Sequence, residues 1–567
     1  MARTAFQSSL PRLIERAEAR ESAANFDWAE FFRNWLEDRF PSNPDPVHVY
    51  EGTEALDIFR IAEFERTSLS TYGGNDYVQL YGGAEYEVNL GDGDDSLYIR
   101  TDGAAEVSAG AGDDFVAVNI FSKHDLDGGT GVDILSFNSL EHGIRVDLMS
   151  GEAYVNRYDA RKASLTGFEK VNGTAFGDLL RGDDGDNILA GFEGNDQIFA
   201  EGGDDLVTVH GGFNFIDLGD GNDTATAFGG SMRVHGGAGD DVMTAETGLN
   251  DFYTGTGADV VQGGDGEDSV HGGARGDDGA DQFDGGDGAF DTLDYALADA
   301  AVTFDVGQGT VTGLGAGVKT GNINGQPTVQ VMTDTFVNFE RFQGSAFDDV
   351  FLASDSLVHE MFYGGEGDDL FHANLGSADF IGGMDPNRYP QPEGGTGFDV
   401  VSFAAFSGAV EIDLGAGTGQ ASFDGSNDTT KSYKFLMIDG LIGGTWNDVL
   451  IGDDGDNLLD AGARSDDMTG NGGADTFRFT FFEGDSFFDT VTDFTAGEDL
   501  LHLAGMQRGG ETIASFADLD SNGDGSLTNA DDAFSANSSG PGYLLLDGGM
   551  IELLGVDELA AEDFLFG

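Results

Sequence analysis

Several residue types are scarce or absent in the 567-residue chain, and each absence excludes a class of protein. Cysteine is absent, which excludes disulfide bonds, thiolate metal sites and cysteine nucleophiles. Lysine and arginine number 26 against 104 aspartate and glutamate residues, giving a formal charge of −78. This charge argues against nucleic acid as a partner, because phosphate binding depends on basic side chains. No apolar run approaches the roughly 18 residues of a membrane span, so we expect no transmembrane segment.

The abundant residues are glycine, acidic residues and phenylalanine. The chain has 90 glycines and 45 phenylalanines, and 39% of it is hydrophobic. Acidic chains with little apolar content are usually disordered, but this hydrophobic content is enough to build a core. Carboxylates at this density would repel one another in a folded chain. We therefore expect a hard divalent cation to neutralise them.

An internal repeat of nine residues dominates the middle of the chain, starting at Gly182. Ten successive nonapeptides keep register without a gap. The fourth position is always glycine: Gly185, Gly194, Gly203, Gly212, Gly221, Gly230, Gly239, Gly248, Gly257 and Gly266. The eighth position is always apolar: Leu189, Ile198, Val207, Ile216, Ala225, Val234, Met243, Phe252, Val261 and Val270. Each unit therefore predicts a turn followed by a short strand.

Related turns occur on both sides of this block, at 90–95, at 109–114 and from Tyr363. Three further nonapeptides start at Gly452, Ala461 and Gly470.

A second, longer repeat occurs three times, opening near residues 128, 291 and 394. Each copy continues through an alternating, half-buried strand centred on Asp147, Asp305 or Asp413. Each copy then reaches a Gly-x-x-aromatic-x-Asp turn: Gly173, Phe176, Asp178; Gly344, Phe347, Asp349; Gly443, Trp446, Asp448. We interpret these copies as wider coils of one solenoid.

The N-terminus differs from the repeats. Asp27 followed by Glu30 forms a capping box, and the apolar residues from Trp28 to Leu36 lie on one face of a predicted helix that Pro41 ends. We expect this helix to cap the first coil, as open repeat arrays require, and the alternative is a helix that contacts a partner or a membrane.

The turns resemble the Gly-Gly-x-Gly-x-Asp-x-U-x repeats of the RTX family, which are hemolysin-type calcium-binding repeats. That resemblance covers most of residues 70–480, and it implies a parallel β-roll whose loops bind calcium and a protein that leaves Gram-negative bacteria unfolded by type I secretion. Calcium takes carboxylate and carbonyl oxygens, and glycine frees the carbonyls. The predicted ligands in the turns are Asp95, Asp114, Asp133, Asp196, Asp205, Asp223, Asp241, Asp259, Asp268, Asp369, Asp399 and Asp475.

The sixth position alternates along 200–262 between carboxylate and non-carboxylate residues: Asp205, Asn214, Asp223, Met232, Asp241, Asn250 and Asp259. Since one nonapeptide makes half a coil of a β-roll, we expect calcium along one edge of the roll and much less along the other. The alternative is drift among redundant repeats.

A second calcium signal is independent of the repeats. Residues 520–531 fit the twelve-residue EF-hand loop. The predicted ligands are Asp520, Asn522, Asp524, Ser526 through its carbonyl, Thr528 and Asp531. Gly525 and Leu527 also match, whereas Asp531 stands where glutamate is usual and has a shorter reach. The alternative is a surface loop without metal.

The C-terminus also resembles RTX proteins. The segment 489–503 is similar to the region that follows their last roll, and 562–567 looks like their uncleaved export tail, with an ordinary terminal strand as the alternative.

The resemblance and the repeats together give an all-β fold, a parallel β-roll or β-solenoid of Gly/Asp-rich nonapeptides with wider interspersed coils and a short helical N-terminal cap. The predicted parts are the cap (1–48), a first β-roll block (49–127), wide-coil repeat 1 (128–181), the main RTX β-roll (182–290), wide-coil repeat 2 (291–350), a short RTX block (351–393), wide-coil repeat 3 (394–450), the last RTX turns (451–480) and a C-terminal region with the EF-hand-like loop and secretion signal (481–567).

An enzyme is the main alternative to a structural protein. The chain has no His-Glu-x-x-His and no Gly-x-Ser-x-Gly motif. The longest stretches without clear turns, about 1–70 and 292–343, are shorter than the roughly 100–150 residues of a typical domain. We therefore expect a secreted, non-enzymatic protein of a cell surface or matrix that folds on binding calcium. Its expected partners are Ca²⁺, a type I transporter and an extracellular or cell-surface polysaccharide. The alternative is a polysaccharide-acting enzyme built on the solenoid.

Overall fold

The computed structural model consists of β-strands and two short 3-10 helices, Phe516–Asp518 and Ala561–Asp563. It describes residues 48–566 with the exception of 64, 156–161, 274–278, 314–320, 324–325, 329–331, 357, 375, 384–396, 424–430, 481–485 and 537–539. The described residues contain no α-helix. The predicted all-β class is confirmed.

The predicted helical cap, residues 1–48, lies outside the described residues except for His48. That residue belongs to the solenoid, because it opens the strand His48–Glu51 and pairs in parallel with Thr67. The cap therefore does not extend to residue 48, and the structure gives no support to its helices.

The chain forms two compact units, unit 1 with residues 1–253 and 263–265, and unit 2 with residues 254–262 and 266–567. Both are built on one plan. Successive strands alternate between two sheets, here called sheet A and sheet B, and most pair in parallel with the strand one coil further along the chain. This is the predicted parallel β-solenoid.

Unit 1 contributes strands to both sheets. Those of sheet A are His48–Glu51, Thr67–Ser70, Tyr86–Asp92, Ala105–Ala111, Asp125–Thr130, Arg145–Asp147, Glu152–Tyr154, Ala163–Thr166, Leu179–Arg181, Gln197–Phe199, Phe213–Asp220, Ser231–Ala238 and the start of Asp251–Thr256. Those of sheet B are Ile58–Glu63, Tyr77–Gly82, Ser96–Thr101, Phe115–Val118, Ile134–Ser136, Lys170–Asn172, Ile188–Phe192, Leu206–Val209, Thr224–Ala227 and Val242–Ala245.

Unit 2 follows the same alternation. Its strands in sheet A are Ser269–His271, Thr292–Asp294, Arg341–Gln343, Glu360–Tyr363, Ala378–Ile381, Gly408–Asp413, Thr418–Phe423, Lys431–Leu436, Val449–Ile451, Asp467–Thr469, Phe487–Val491, Phe534–Ala536, Gly542–Leu546 and Gly549–Leu553. Its strands in sheet B are Val260–Gln262, Gln282–Asp284, Val302–Asp305, Thr310–Gly313, Met332–Val337, Val350–Leu352, Leu370–His372, Val400–Ser402, Gly440–Ile442, Leu458–Asp460, Thr476–Thr480, Leu500–Ala504 and Phe564–Phe566. Three small strand pairs complete it: Gly321–Ile323 with Gln326–Thr328, Gln507–Arg508 with Glu511–Thr512, and Ser526–Leu527 with Leu559–Ala560.

The length of a coil differs between the blocks of unit 1. In the first block, sheet B strands start 19 residues apart, as at Tyr77 and Ser96. In the nonapeptide block the interval is 18 residues, as at Leu206 and Thr224. One nonapeptide therefore makes half a coil, as predicted.

The core lies between the two sheets. All ten apolar residues at the eighth position are buried, with at most 1% of each exposed. Phenylalanine fills the core of unit 2, where Phe342, Phe362 and Phe380 stack in a column with ring centroids 5.4 and 5.6 Å apart. Such stacking is one reason for the high phenylalanine content.

Glycine at the fourth position allows the coils to approach closely. Gly212 has a φ of +80°, and a Cβ there would lie 1.5 Å from the carbonyl oxygen of Gly194 in the preceding coil. No other residue fits this position without a shift of the backbone.

The three wide coils each insert an antiparallel strand into a sheet. In the first copy Glu152–Tyr154 lies between Arg145–Asp147 and Ala163–Thr166 in sheet A. The second copy inserts Thr310–Gly313 in sheet B, and the third inserts Thr418–Phe423 in sheet A. The longer repeat is therefore a coil with an added hairpin.

None of the described helices is long or apolar enough to cross a membrane.

Candidate calcium sites

The candidate sites lie in the turns that lead into the strands. We call the turns that precede sheet B strands the B edge and those that precede sheet A strands the A edge. On the B edge of unit 1, Asp95, Asp114 and Asp133 each stand one residue before a strand, as do Asp205, Asp223 and Asp241. Asp196 has the same position on the A edge. The sequence register thus places these predicted ligands at equivalent points of successive coils.

The aspartates of one edge form a hydrogen-bonded ladder. The backbone N–H of Asp95 donates to Oδ1 of Asp114 at 2.8 Å, and that of Asp114 donates to Oδ1 of Asp133 at 2.8 Å. In the nonapeptide block, the N–H of Asp205 donates to Oδ1 of Asp223 at 2.7 Å. Each carboxylate is therefore fixed by the preceding coil, and its other oxygen is left for a different partner.

That other oxygen is buried and has no hydrogen-bond partner in much of the ladder. This holds for Oδ2 of Asp76, Asp95, Asp114, Asp133, Asp196, Asp205, Asp223, Asp291 and Asp369. A buried carboxylate oxygen without a partner is costly, because it has lost water and gained nothing in exchange. The ladder therefore has the chemistry of a cation site: fixed, buried, anionic oxygens beside glycine-rich turns with accessible carbonyls.

Burial and mutual repulsion raise the pKa of these carboxyls. Loss of water, with smaller contributions from neighbouring carboxylates, raises the pKa of Asp95 and of Asp205 to about 7. The same causes raise the pKa of Asp369 to about 9. Among the described residues, no cationic side chain lowers the pKa of these three carboxyls, so a divalent cation would relieve a large electrostatic penalty.

The remaining predicted turn residues lie in unit 2, and all are buried. Asp259 and Asp268 donate their N–H groups to Oδ1 of Asp281 and Asp291, each at 2.8 Å. Asp369 accepts from the N–H of Asp349, Asp399 from that of Asp369 and Asp475 from that of Asn457, at 2.8 to 2.9 Å. Every predicted turn ligand is thus a rung of such a ladder.

The two edges of the nonapeptide block differ in the residue at the sixth position, which is aspartate on one edge and uncharged on the other over residues 205–250. Asp205, Asp223 and Asp241 share the B edge, whereas Asn214, Met232 and Asn250 share the A edge. Asn214 still accepts the N–H of Asp196 at 3.0 Å, and its own Nδ2 donates to the carbonyl of Gly211 at 2.9 Å. The asparagine amide thus bonds the turn carbonyl directly and supplies no charge for a cation.

Comparison with known proteins identifies these turns. The family model of the RTX calcium-binding nonapeptide repeat matches residues 172–207, 210–243, 233–250, 244–274, 361–380 and 442–477. These residues carry RTX calcium-binding nonapeptide repeats. The matched residues include the main nonapeptide block, and the rungs Asp196, Asp205, Asp223, Asp241, Asp259, Asp268, Asp369 and Asp475 lie within them.

Two further comparisons add little. No curated protein matches the chain in sequence. A solved structure to which it is similar is that of the extracellular lipase LipA from Serratia marcescens, with 12% identity, a TM-score of 0.16 and coverage of 69% of this chain and 40% of the lipase. The chain thus spans less than half of that lipase, and at this TM-score the similarity carries no argument about activity.

Several RTX ladder residues were not predicted from the sequence. Asp76, Asp291 and Asp466 occupy the same rungs as the predicted ligands, accepting the N–H groups of Asp57, Asp268 and Asp448. A usable signal existed for Asp466, which is the sixth residue of the nonapeptide that starts at Ala461. Asp76 follows a Gly-Gly-Asn turn, which keeps the motif in a shortened form.

The Gly-x-x-aromatic-x-Asp turns use their aspartates differently. The Asp178 carboxylate accepts the N–H of Thr174 at 2.6 Å, the hydroxyl of Thr174 at 2.9 Å and the N–H of Ile144 at 2.7 Å. Both oxygens of Asp349 and Asp448 are also hydrogen-bonded. These aspartates hold the wide coils together, and unlike the ladder aspartates they have no buried oxygen without a hydrogen bond.

The EF-hand-like loop brings three of its predicted ligands together. Oxygens of Asp520, Asp524 and Asp531 lie within 4.8 Å of one another. The loop is folded by its own side chains: Asp520 accepts the N–H groups of Gly523 at 2.7 Å and Gly525 at 2.9 Å. Gly525 has a φ of +89°, which supports the glycine expected at this position.

The other predicted loop residues surround this cluster. Asn522 donates its N–H to Oδ1 of Asp531 at 3.2 Å, and Thr528 donates its N–H to Oδ2 at 3.2 Å. Burial tends to raise the pKa of Asp531, but these donors outweigh it and leave that pKa below its ordinary value. Ser526 pairs as a strand with Ala560. The donor set fits Ca²⁺, and the frame around it is β-structure.

Proposed function

We propose that this RTX repeat protein binds multiple calcium ions in its turns and that calcium binding drives its folding. The observation that carries the proposal is the ladder of buried aspartates with unpartnered Oδ2 atoms, such as those of Asp114, Asp205 and Asp223. At neutral pH these carboxylates oppose the fold, and a bound cation turns the same oxygens into ligands. The free energy of calcium binding then appears as free energy of folding.

Circular dichroism of the full chain tests this proposal. In chelator at neutral pH the chain should be largely unordered, and β signal should appear as calcium reaches roughly 10⁻⁴–10⁻³ M, the range of extracellular modules. Magnesium at the same concentration is the matched control, since it demands a smaller octahedral site. A β spectrum that persists in chelator would contradict calcium-coupled folding.

The protein is, in this proposal, secreted unfolded by a type I transporter and folds outside the cell, where calcium is abundant. The tail supports a role in both states. In the folded chain Phe564–Phe566 pairs in parallel with Leu500–Ala504, and Asp563 accepts the N–H of Gly497 at 2.6 Å. In a calcium-poor cytosol this strand has no folded neighbour, so the tail is available to the transporter.

Export is tested in cells that carry the transporter. Deleting residues 563–567 should trap the protein inside, whereas deleting 1–40 should leave export intact. Because the tail is also a strand, a fold-damaging variant with an intact tail is needed as a control, and Phe362→Ala in the core serves. Normal export of the tail deletion, or trapping of Phe362→Ala, would contradict the assignment.

The proposed role is that of a surface, matrix or adhesive protein without enzymatic activity, with a polysaccharide as its partner. An acidic solenoid whose turns bind calcium suits a structural role, since the stability of its fold rises with the calcium concentration outside the cell. A panel of polysaccharides offered to the calcium-loaded protein, with binding and product formation measured separately, tests it. Formation of shortened or unsaturated products would favour the alternative, a polysaccharide-acting enzyme on the solenoid.

A further inference from the structure

A cleft of about 360 Å³ opens on the outer face of sheet A in unit 1, at the first wide coil. Tyr154 stands at one end of it and Phe199 at the other. The strands between them, Arg145–Asp147 and Leu179–Arg181, supply the floor. Three strand spacings across the sheet, about 14 Å, and two residues along the strands separate the two aromatic residues. This is the size of a small-ligand site.

Two arginines and two acidic residues line the cleft, in a chain of net charge −78. Arg181 donates from Nε to Glu201 at 2.6 Å and lies 4.0 Å from Asp147, so its charge is compensated within the cleft. Arg145 differs. Among the described residues it has no ion pair, its buried Nε has no hydrogen-bond partner, and its guanidinium lies over the ring of Tyr154 at 5.7 Å. Within the part of the chain that the structure describes, the Arg145 Nε therefore has no polar partner.

The other two wide coils show that the fold does not require these side chains. In the third copy, strand register places Glu411, Gln420, Ile451 and Thr469 at the positions of Arg145, Tyr154, Arg181 and Phe199, respectively. In the second copy they are Thr303, Thr312, Leu352 and His372.

One residue of the cleft is shared by all three copies. Asp147, Asp305 and Asp413 each accept a backbone N–H within the hairpin turn. That shared residue is explained by the hairpin. The hairpin does not explain the two arginines and two aromatic residues of the first copy, which require another reason.

We propose that this cleft binds an acidic sugar residue within a polysaccharide chain. Arg145 pairs with the sugar carboxylate, because a guanidinium binds a carboxylate through two parallel hydrogen bonds. The ring of Phe199 contacts the C–H face of a neighbouring sugar. The Tyr154 ring, which has the Arg145 guanidinium and the Lys162 ammonium each 5.7 Å from its centroid, holds these cations at the other end of the cleft. The Arg181 ion pairs with Asp147 and Glu201 present polar atoms to the hydroxyls. The inference names a partner for the proposed function and rests on the calcium-loaded fold.

Calorimetry on the calcium-loaded full chain tests the cleft, with a hexamer of a uronic acid as the probe. A neutral hexamer of the same linkage and the free monomeric uronate are the comparison ligands. We expect the acidic hexamer to bind most tightly, and Arg145→Gln to weaken it by about tenfold or more while leaving the neutral hexamer unchanged. Phe199→Ala should weaken both hexamers. Glu411→Gln, the equivalent change in the third copy, is the matched control and should leave all affinities as in the unaltered chain.

The outcomes separate this inference from the proposed function. Circular dichroism in calcium shows first whether each variant folds, and failure there concerns calcium and not the cleft. With folding intact, equal affinity of Arg145→Gln and the unaltered chain for the acidic hexamer would overturn the proposal. So would tighter binding of the free monomer than of the hexamer, or absence of binding altogether.

Discussion

Asp205→Asn should have opposite effects on stability with and without calcium. Asp205 is a buried rung of the B edge, where it accepts the N–H of Asn187 at 2.6 Å and its Oδ2 has no partner. Asparagine keeps the acceptor and removes the charge. It also brings an N–H that can reach the turn carbonyl, as Asn214 does on the A edge. We therefore expect the variant to be more stable than the unaltered chain in chelator and less stable in calcium.

The magnitude follows from linkage between protonation and folding. Burial raises the pKa of Asp205 from 3.8 to about 7, so the folded chain holds this proton more tightly than the unfolded chain. The stability due to the protonated group is fully present below about pH 4 and is lost as the pH rises through about 7. At about 1.36 kcal/mol for each pKa unit, the loss is about 4 kcal/mol at alkaline pH. Asparagine does not ionise and avoids this loss.

The assay is β signal in chelator as a function of pH. The unaltered chain should gain β structure as the pH falls from about 8 towards 5, because protons neutralise the ladder in place of calcium. Asp205→Asn should shift that midpoint to higher pH, while calorimetry should show fewer calcium ions bound. Asn214→Asp, the reverse change on the A edge, should shift the midpoint down and add calcium binding. A midpoint for Asp205→Asn at lower pH than that of the unaltered chain would refute the reasoning.

Three further predictions concern the core, the loop and competition with protons. Phe362→Ala, in the stacked phenylalanine column, should lower the free energy of unfolding in calcium by about 3–5 kcal/mol in urea titrations, whereas Phe347→Ala, 44% exposed in a turn, should change it little. Asp531→Ala should remove one calcium ion in calorimetry of the full chain, and the same change at its exposed neighbour Asp532 should not. The calcium affinity of the repeats should fall between about pH 7.5 and 6, because protons compete for carboxyls such as that of Asp95; an affinity independent of pH there would contradict the raised pKa values.

The sequence predicts most of the nonapeptide blocks because their structure is local. The glycine at the fourth position has a left-handed φ in nine of the ten units, as at Gly212, and the eighth residue is buried in every unit, as at Val207. Once each unit makes half a coil, every second sixth residue must share an edge. The ladder of Asp205, Asp223 and Asp241 follows from register alone.

Other features could not be predicted because they depend on pairing between distant strands. The hairpin that adds Glu152–Tyr154 to sheet A is set by its pairing with Arg145–Asp147 and Ala163–Thr166. Its alternation of apolar and polar residues resembles that of any other strand. The cleft follows from this pairing, since Tyr154 and Phe199 are 45 residues apart in sequence. No local motif brings them together.

The mixture of aspartate and asparagine rungs bears on how calcium can order the solenoid. An aspartate rung such as Asp223 accepts the N–H of Asp205 but leaves its second oxygen unbonded, and in the proposed function a cation would join that oxygen to the turn. The Asn214 rung accepts the N–H of Asp196 and bonds the Gly211 carbonyl with its own amide. That turn is closed without a charge to neutralise. Because the A edge of 205–253 contains Asn214, Met232 and Asn250, we expect its register to depend less on calcium than that of the B edge if calcium binds as proposed.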